Sequence, residues 1–387
     1  MIKTLVAHTR EIDNLEMAVK EILEQVDPQN NFCTNTVGII NCHCEFVYSG
    51  AVEAICKALP FDIVGIVTTA QAANEESDIF LLSIMVLTSD DASFIATTTS
   101  SLLPSPSAVI EEAYRKISSQ KAEKPTLILT FLPFLLSVSG DEYVEALTNA
   151  SGGVPCFGAI SMDESDALET CFLIYNGEHH ADRMGMILIY TDREPQFFTA
   201  TISPDKILKR SALVTKSEKN ILKELNGNLV LDYFTGLGLA DASKTRYATA
   251  SLPLMVNYND GTPPVSRVIT GYTPDQHAVC GGMVLEGSAI SLGVFEKDDV
   301  ILTTGEAVDK ALAEADGASC MLLYTCVARC MSLGGESMAE LDLVKSKLNG
   351  RVPFLMASSG GEICPTQITN AKAVNRFHNN TLIICVL

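Results

Sequence analysis

The sequence lacks tryptophan, is poor in basic residues and contains no long apolar run. Its 27 Lys and Arg residues stand against 47 Asp and Glu residues, a net charge of 27 − 47 = −20. This negative charge repels phosphate backbones, which argues against nucleic acid as a partner. The longest nearly uninterrupted apolar stretch, residues 127–136, contains Thr130 and Pro133 and is shorter than the roughly 20 residues that span a bilayer. We therefore expect no membrane insertion.

Signals for export and for disulfide bonding are also missing. The first residues reach Glu11 and Asp13 without the apolar core of a secretory signal, so we expect a cytoplasmic protein. Many of the twelve cysteines lie inside apolar runs, which is typical of buried, reduced thiols.

The common catalytic signatures are absent. We find no G-x-x-x-x-G-K-[ST] loop, no G-x-G-x-x-G after a strand, no H-E-x-x-H and no G-x-S-x-G. A tetrahedral zinc site commonly uses two pairs of closely spaced ligands. The pair Cys326 and Cys330, with Cys320 nearby, has no matching second pair downstream, so we expect no metal site. The sequence thus favours a protein that is not an enzyme, although an unfamiliar active site is compatible with it.

Three copies of one unit recur, beginning at Thr36, Thr126 and Ser319. Each copy is an apolar run, a loop ending in glycine, an amphipathic helix and a second apolar run, which predicts a βαβ unit with parallel strands. A later apolar run follows each copy and is expected to pair antiparallel; these runs include residues 79–87, 184–190 and 381–386. The predicted fold class is α/β (mixed α+β), with repeated β-α-β-β units forming mixed sheets flanked by helices.

The chain is long enough for two domains, and a break near Ser203 and Pro204 predicts domains over residues 1–203 and 204–387. Apolar residues at helical spacing predict a helix over residues 12–23, closed by Asp27 and Pro28. A second helix is predicted over residues 219–225, before an Asn-Gly turn.

The C-terminal copy is the richest in candidate binding residues. A predicted strand there is followed by two serines, two glycines and a glutamate, residues 358–362. Such a loop can turn tightly and expose N–H groups to a small polar ligand. Arg329 follows the neighbouring parallel strand, and the carboxyl ends of parallel strands lie at one edge of a sheet. We therefore expect Arg329 and Glu362 to face one cleft.

Several of these motifs in combination resemble the FIST family, the sensory module named for F-box and intracellular signal transduction proteins. The matching segments are Cys326-x-x-Arg329 with Leu333-Gly334, Ser359-Gly360-Gly361-Glu362-Ile363 with Pro365, and His378-Asn379-x-Thr381-Leu382. The N-terminal match is diffuse, since Thr68-Thr69-Ala70-Gln71 stands where family members often carry Gly-Glu.

The resemblance implies a sensory protein with N- and C-terminal FIST domains that binds small molecules such as amino acids, and some members of the family are linked to haem. For this chain we expect no resident cofactor. Arg329 is then expected to bind a ligand carboxylate and Glu362 an ammonium group. Since no output domain is visible, the signal would leave through a downstream signalling protein or through self-association. The expected ligand-binding residues are Arg329, Glu362, Ser358, Ser359, Gly360, Gly361, Cys326, His378 and Asn379.

Three other interpretations stay open. Arg329 and Glu362 can pair with each other, while His378 and Asn379 cap the last hairpin. A haem-linked gas or redox sensor would use His378, His277 or a cysteine as axial ligand. A cysteine-dependent enzyme would use Cys326 or Cys330 as nucleophile and His378 as base.

Overall fold

The three sequence copies form three equivalent mixed sheets in a computed structural model that describes residues 1–165, 167–239, 251–369 and 372–387. In each copy the strands on either side of the central helix pair in parallel, and a later strand pairs antiparallel with the first of them. The predicted fold class, with its βαβ units and antiparallel third strands, is confirmed. We term each copy, together with the elements before and after it, a repeat.

The first two repeats follow one another along the chain. The elements of the first are β1 (Lys3–Thr9), α1 (Leu15–Val26), α2 (Pro28–Asn31), β2 (Asn35–Cys42), α3 (Cys44–Tyr48), α4 (Ala51–Ala58), β3 (Ile63–Val67), β4 (Gln71–Ala73), β5 (Glu76–Asp78) and β6 (Leu82–Ser89). Those of the second are β7 (Ser93–Thr98), α5 (Pro106–Ser118), β8 (Leu127–Leu132), α6 (Gly140–Ser151), β9 (Cys156–Ile160), β10 (Leu173–Tyr175), β11 (Glu178–His180) and β12 (Gly185–Tyr190).

The third repeat starts with β13 (Gln196–Ala200) and is then interrupted by an insertion. The described elements of the insertion are a 3-10 turn (Pro204–Lys206), β14 (Ile207–Glu218), β15 (Ile221–Leu225), β16 (Asn228–Leu229), α7 (Val230–Gly236), β17 (Leu254–Asn257), β18 (Val265–Arg267), β19 (Ile269–Tyr272), β20 (Ala278–Cys280) and β21 (Ala289–Gly293). The repeat resumes with α8 (Lys297–Ala313), β22 (Met321–Cys326), α9 (Val327–Leu333), a 3-10 turn (Gly334–Glu336), α10 (Ala339–Leu348), β23 (Phe354–Ser359), β24 (Gly361–Thr369), β25 (Lys372–His378) and β26 (Leu382–Val386).

The three repeats exchange hairpins in a cycle. The sheet orders are β1-β6-β2-β3-β10-β11, β7-β12-β8-β9-β24-β25 and β13-β26-β22-β23-β4-β5. The last two strands of each sheet therefore come from another repeat, so that β4–β5 complete the third sheet, β10–β11 the first and β24–β25 the second. This closed exchange relates the sheets by an approximate threefold axis. The predicted boundary near Ser203 and Pro204 falls in the link between β13 and β14, and the division into two domains remains a prediction.

Local sequence signals explain where the elements begin and end. The Asn14 side chain caps α1 by accepting a hydrogen bond from the Met17 N–H group, and Asp27 ends the helix in a left-handed conformation before Pro28. The predicted N-terminal helix is thus confirmed, with its start shifted to Leu15.

The predicted helix over residues 219–225 is wrong. This segment contains β15, which pairs with both β14 and β20. Its lysine, leucine and glutamate residues favour helix locally, but pairing on both sides buries Leu222 and Leu225 and outweighs that preference.

One apolar core is shared by all three sheets. It includes Ile39 of the first sheet, Leu129 of the second and Leu322 of the third, and the opposite face of each sheet packs against the helices of its own repeat. Each sheet is therefore buried on both faces, which explains the nearly continuous apolar runs of the central strands. No described helix combines the length and apolar character that crossing a bilayer requires.

The insertion forms a fourth sheet that lies over the carboxyl edge of the parallel strands. Its Val268 packs against Cys326 and Ala328 at the end of β22. The buried guanidinium of Arg267 donates to Asp141 Oδ1 at the start of α6 (2.8 Å) and to the Phe377 carbonyl oxygen (2.8 Å). The insertion thus covers the edge where the sequence places the candidate binding residues.

Candidate functional site

The segments that follow the second parallel strand of each repeat meet around the pseudo-threefold axis. Ser161 Oγ donates to the Val67 carbonyl oxygen (2.8 Å), which joins the second repeat to the first. The Gly360 N–H group donates to the Ile160 carbonyl oxygen (2.9 Å), which joins the third repeat to the second. The carboxyl ends of all three parallel pairs therefore converge on one place.

Glu362, Ser359 and Cys326 form a buried cluster at this place. Ser359 Oγ lies 2.7 Å from Glu362 Oε1 and 3.2 Å from the Thr325 carbonyl oxygen. Burial raises the pKa of Glu362 well above its usual range, and the nearby Ser359 hydroxyl and Cys326 thiol oppose this only in part. A protonated Glu362 satisfies the geometry, because its own hydrogen can bond Ser359 Oγ while the Ser359 hydrogen bonds Thr325.

The second carboxyl oxygen of Glu362, Oε2, differs from the first in its hydrogen bonding. Glu362 is fully buried, and Oε2 has no hydrogen-bond partner with normal geometry among the described residues. A buried polar atom without a partner lowers stability, so such atoms call for a specific explanation. Ser358, on the other face of β23, likewise has a buried hydroxyl without a described partner.

The two glycines are required by close packing. A Cβ atom at Gly361 would overlap the Phe377 ring, and one at Gly360 would lie 3.0 Å from the Phe134 ring. The Gly360 N–H group is already bonded to Ile160. This geometry places the glycines at a tight junction between sheets, and the predicted display of the Gly360 N–H group to a ligand does not occur.

The structure does not bring Arg329 and Glu362 together. Arg329 is fully buried on the helix-covered face of the third sheet, where it forms an ion pair with Glu340 (Nη2 to Oε1, 2.8 Å). Thr325 Oγ1, on the same face, donates to Glu340 Oε2 (2.7 Å), whereas Cys326 faces the Glu362 cluster. Successive residues of a strand point to opposite faces, so β22 separates the two predicted ligand contacts.

Arg329 is also bonded on its remaining sides. Its nitrogens approach the carbonyl oxygens of Ala200 and Val300 (each 3.3 Å) and Thr304 Oγ1 (2.8 Å). The alternative that Arg329 pairs with Glu362 is therefore wrong as to the partner, since the partner is Glu340. Direct contact between Arg329 and a ligand remains a prediction.

His378 and Asn379 lie at the junction between β25 and β26. His378 Nε2 is 3.2 Å from the Cys364 carbonyl oxygen, and burial lowers the His378 pKa to about 4, so the ring is neutral at pH 7. The Asn379 carbonyl oxygen accepts from Thr381 Oγ1 (2.8 Å), while Asn379 Oδ1 is buried without a partner among the described residues. β25 and β26 belong to different sheets, so these two residues link the second sheet to the third, and the alternative that they cap the last hairpin is wrong.

The strand registers reveal further residues that the sequence alone did not single out. In the first sheet Asn41 pairs with Ser83, and in the third sheet Tyr324, Ala357 and Gln71 form one row across the strands. The parallel strand pairs of the three repeats have matching registers. Both rows therefore lie at the same level of their sheets as the row in the second sheet that contains Glu362. Directly paired residues share a face, so all these side chains point to the axis.

We term Asn41, Ser83, Gln71, Tyr324 and Glu362 the axial ring. All five are at most 1% exposed, and each carries at least one polar atom with no hydrogen-bond partner of normal geometry among the described residues. A signal for part of the ring was present in the sequence. Gln71 stands three residues after Thr68 as Glu362 stands three residues after Ser359, and Asn41 interrupts an apolar run.

The thiols and imidazoles do not assemble into the alternative sites. Cys320 directly precedes β22 and Cys326 is its last residue, so the two are about 20 Å apart at roughly 3.3 Å per residue, too far to share a zinc ion. In the described residues no three His, Cys, Asp or Glu side chains cluster as metal ligands. The hydrogen bonds of Cys330 and His378 in this part of the structure go to the carbonyl oxygens of Ser337 and Cys364. Burial raises the pKa of Cys330 to about 11, which disfavours the nucleophilic thiolate.

The haem alternative depends on an accessible axial ligand. His378 is 4% exposed and its Nε2 atom faces the Cys364 carbonyl oxygen, so this residue does not fit the group in the observed arrangement. His277 lies in the turn between β19 and β20.

Comparison with family models decides the relationship that the motifs indicated. A model of the FIST N domain matches residues 36–228, and a model of the FIST C domain matches residues 229–365. The chain belongs to the FIST family. FIST domains are sensory domains implicated in signal transduction and small-ligand binding. A comparison with curated proteins gives no match.

The axial ring draws on both FIST domains. Asn41, Ser83 and Gln71 lie in the segment matched by the FIST N model, and Tyr324 and Glu362 in that matched by the FIST C model. The hairpin exchange explains this, because it places strands of both segments in one sheet.

Proposed function

We propose that this FIST protein is a cytoplasmic sensor that binds a small polar molecule, such as an amino acid, at the buried edge where its three sheets converge. Glu362 would contact the ammonium group of the ligand. The observation that carries the proposal is Glu362 Oε2, a fully buried carboxyl oxygen without a described partner of normal geometry. A ligand that donates a hydrogen bond to this atom removes the cost of leaving it unpaired.

Charge supports the same assignment. Without ligand, burial raises the pKa of Glu362 and so favours its neutral form. An ammonium group beside it would favour the ionised carboxylate and would form a charge-assisted hydrogen bond, the strong class of hydrogen bond. Binding would then release one proton.

The insertion supplies a route for the signal. It covers the edge through Val268 and through the Arg267–Asp141 ion pair, and we propose that a ligand enters when the fourth sheet moves relative to the core. We propose that this displacement is the sensory output, read by a downstream signalling protein or by self-association of the chain.

A thermal-shift screen against the twenty protein amino acids, followed by calorimetry on any hit, tests the proposal. A ligand at about 100 times its Kd adds roughly 2.7 kcal/mol to the stability of the native state. Glu362→Gln keeps the size of the side chain and imitates the neutral form that burial favours, so the variant is expected to fold, but it cannot supply a carboxylate. We expect it to weaken binding about 30-fold or more, corresponding to about 2 kcal/mol.

Glu53→Gln is the matched control, because Glu53 is an exposed helix residue paired with Lys57. The control should bind as the unchanged protein does. If Glu362→Gln binds equally well, Glu362 is not the ammonium contact.

A further inference from the structure

The axial ring presents both hydrogen-bond donors and acceptors around the pseudo-threefold axis, and Asn41 offers one of each in Nδ2 and Oδ1. Gln71 Nε2 is bonded to Thr68, which leaves Gln71 Oε1 as the atom without a described partner, and Glu362 also offers an oxygen. Asn41 Nδ2, Ser83 Oγ and Tyr324 Oη are groups that can donate, and they too have no described partner of normal geometry.

We propose that the ligand lies on this axis, with Asn41, Ser83 and Tyr324 donating hydrogen bonds to its carboxylate and Gln71 and Glu362 accepting from its amino group. This inference rests on the proposed function and extends it to four residues outside the expected ligand set. The ligand class is a small zwitterion, or another small molecule with acceptors at one end and a donor at the other.

The placement of the donors follows from the registers. Asn41 and Ser83 are directly paired in the first sheet. The Asn41 side chain also approaches the Tyr324 hydroxyl as a hydrogen-bond donor outside normal geometry, and this weak contact opposes the rise that burial causes in the Tyr324 pKa. These three groups therefore lie together, although they come from two sheets.

The placement of the acceptors follows in the same way. Gln71 lies in the row of Tyr324, with only Ala357 between them. Glu362 enters from the second sheet and contacts Ser359 of the third, next to that row. The ring thus surrounds the axis with groups from all three sheets.

Neutral donors must hold the carboxylate because the nearest arginine is engaged elsewhere. Arg329 lies on the opposite face of β22 and is paired with Glu340. The neighbouring imidazole of His378 is neutral at pH 7. Amide and hydroxyl donors remain, and all of them face the axis.

A binding role and a structural role predict opposite effects on the unliganded protein. Removing a buried polar group that has no partner relieves a cost, so Tyr324→Phe and Asn41→Leu should leave the melting temperature unchanged or raise it. The Tyr324 ring would keep its contacts with Phe131 and Phe157. If the polar groups instead support the fold, both substitutions lower the melting temperature.

The test compares these variants with the unchanged protein in the amino-acid screen and in calorimetry. Tyr143→Phe is the matched control, since the Tyr143 hydroxyl is also buried and without a described partner, but Tyr143 is a residue of α6 and packs in the outer core. We expect Tyr324→Phe and Asn41→Leu to weaken binding at least about tenfold, the effect of losing one hydrogen bond to a charged group, and Tyr143→Phe to bind normally.

The outcomes separate the two proposals. If Glu362→Gln loses binding while Tyr324→Phe and Asn41→Leu retain it, the axial arrangement is wrong and the proposed function stands. A lowered melting temperature in Tyr324→Phe with unchanged binding also overturns the arrangement. If the unchanged protein responds to none of the twenty amino acids, the proposed function fails, and this inference fails with it.

Discussion

The ion pair between Arg329 and Glu340 offers a test that distinguishes a structural role from a ligand-binding role. Glu340→Gln preserves the volume of the side chain, and its amide oxygen can still accept a hydrogen bond from Thr304, but its amide nitrogen cannot accept from Thr325. The substitution also leaves the fully buried guanidinium of Arg329 without a counter-charge. Breaking one partner of a buried ion pair costs about 3–5 kcal/mol.

That cost is large relative to a typical stability of about 5–15 kcal/mol. With an unfolding entropy of about 2.1 cal/mol/K per residue, the 387 residues give about 0.8 kcal/mol/K, so the melting temperature should fall by about 4–6 °C. Urea unfolding should show a lower midpoint. The double variant Arg329→Met with Glu340→Gln removes both charges and should recover part of the loss.

Glu53→Gln, in an exposed pair with Lys57, is the control and should not change the midpoint measurably. The reasoning is refuted if Glu340→Gln is as stable as the unchanged protein, or if the double variant is less stable than Glu340→Gln. A double variant that folds but loses amino-acid binding would indicate that Arg329 contacts the ligand.

Two further predictions concern Glu362 and Gly361. Ligand affinity should rise with pH throughout the range below the raised pKa of unliganded Glu362, because binding requires the ionised carboxylate. In calorimetry, Glu362→Gln should show no such dependence. A pH-independent affinity for the unchanged protein would contradict proton release. Without ligand, the same raised pKa makes Glu362 favour the folded state at low pH, and this contribution is lost as pH rises through the folded-state pKa. Gly361→Ala should destabilise the protein by about 1–3 kcal/mol in urea unfolding, since its methyl group would overlap the Phe377 ring. The same change at exposed Gly335, where a Cβ atom would meet no neighbour within 4 Å, is the control and should have little effect.

The sequence predicted the local units well because their signals are local. Repeated apolar runs, glycine loops and amphipathic helices specify each βαβ unit whatever surrounds it. The error over residues 219–225 has the opposite origin, since β15 depends on pairing with strands that lie elsewhere in the chain.

The candidate site was predicted in part. The rule that parallel strands end at one edge predicted that Arg329 and Glu362 face one cleft, whereas the side chains that meet at this edge are those of Cys326, Ser359 and Glu362. The rule does not distinguish the two faces of β22, and Arg329 lies on the opposite face, where it pairs with Glu340. The axial ring depends on the registers of three sheets and on exchanged hairpins, and a single sequence contains neither.

The hairpin exchange also sets an order of events during synthesis on the ribosome. The free edge of β9 ends at Ile160, whereas β24, which covers it, begins at Gly361. These positions are about 200 residues apart, so at about 5–20 residues per second the edge stays open for about 10–40 s. An unpaired strand edge can pair with other nascent chains. This sensor must therefore be made under conditions that protect its half-finished sheet until the last repeat emerges.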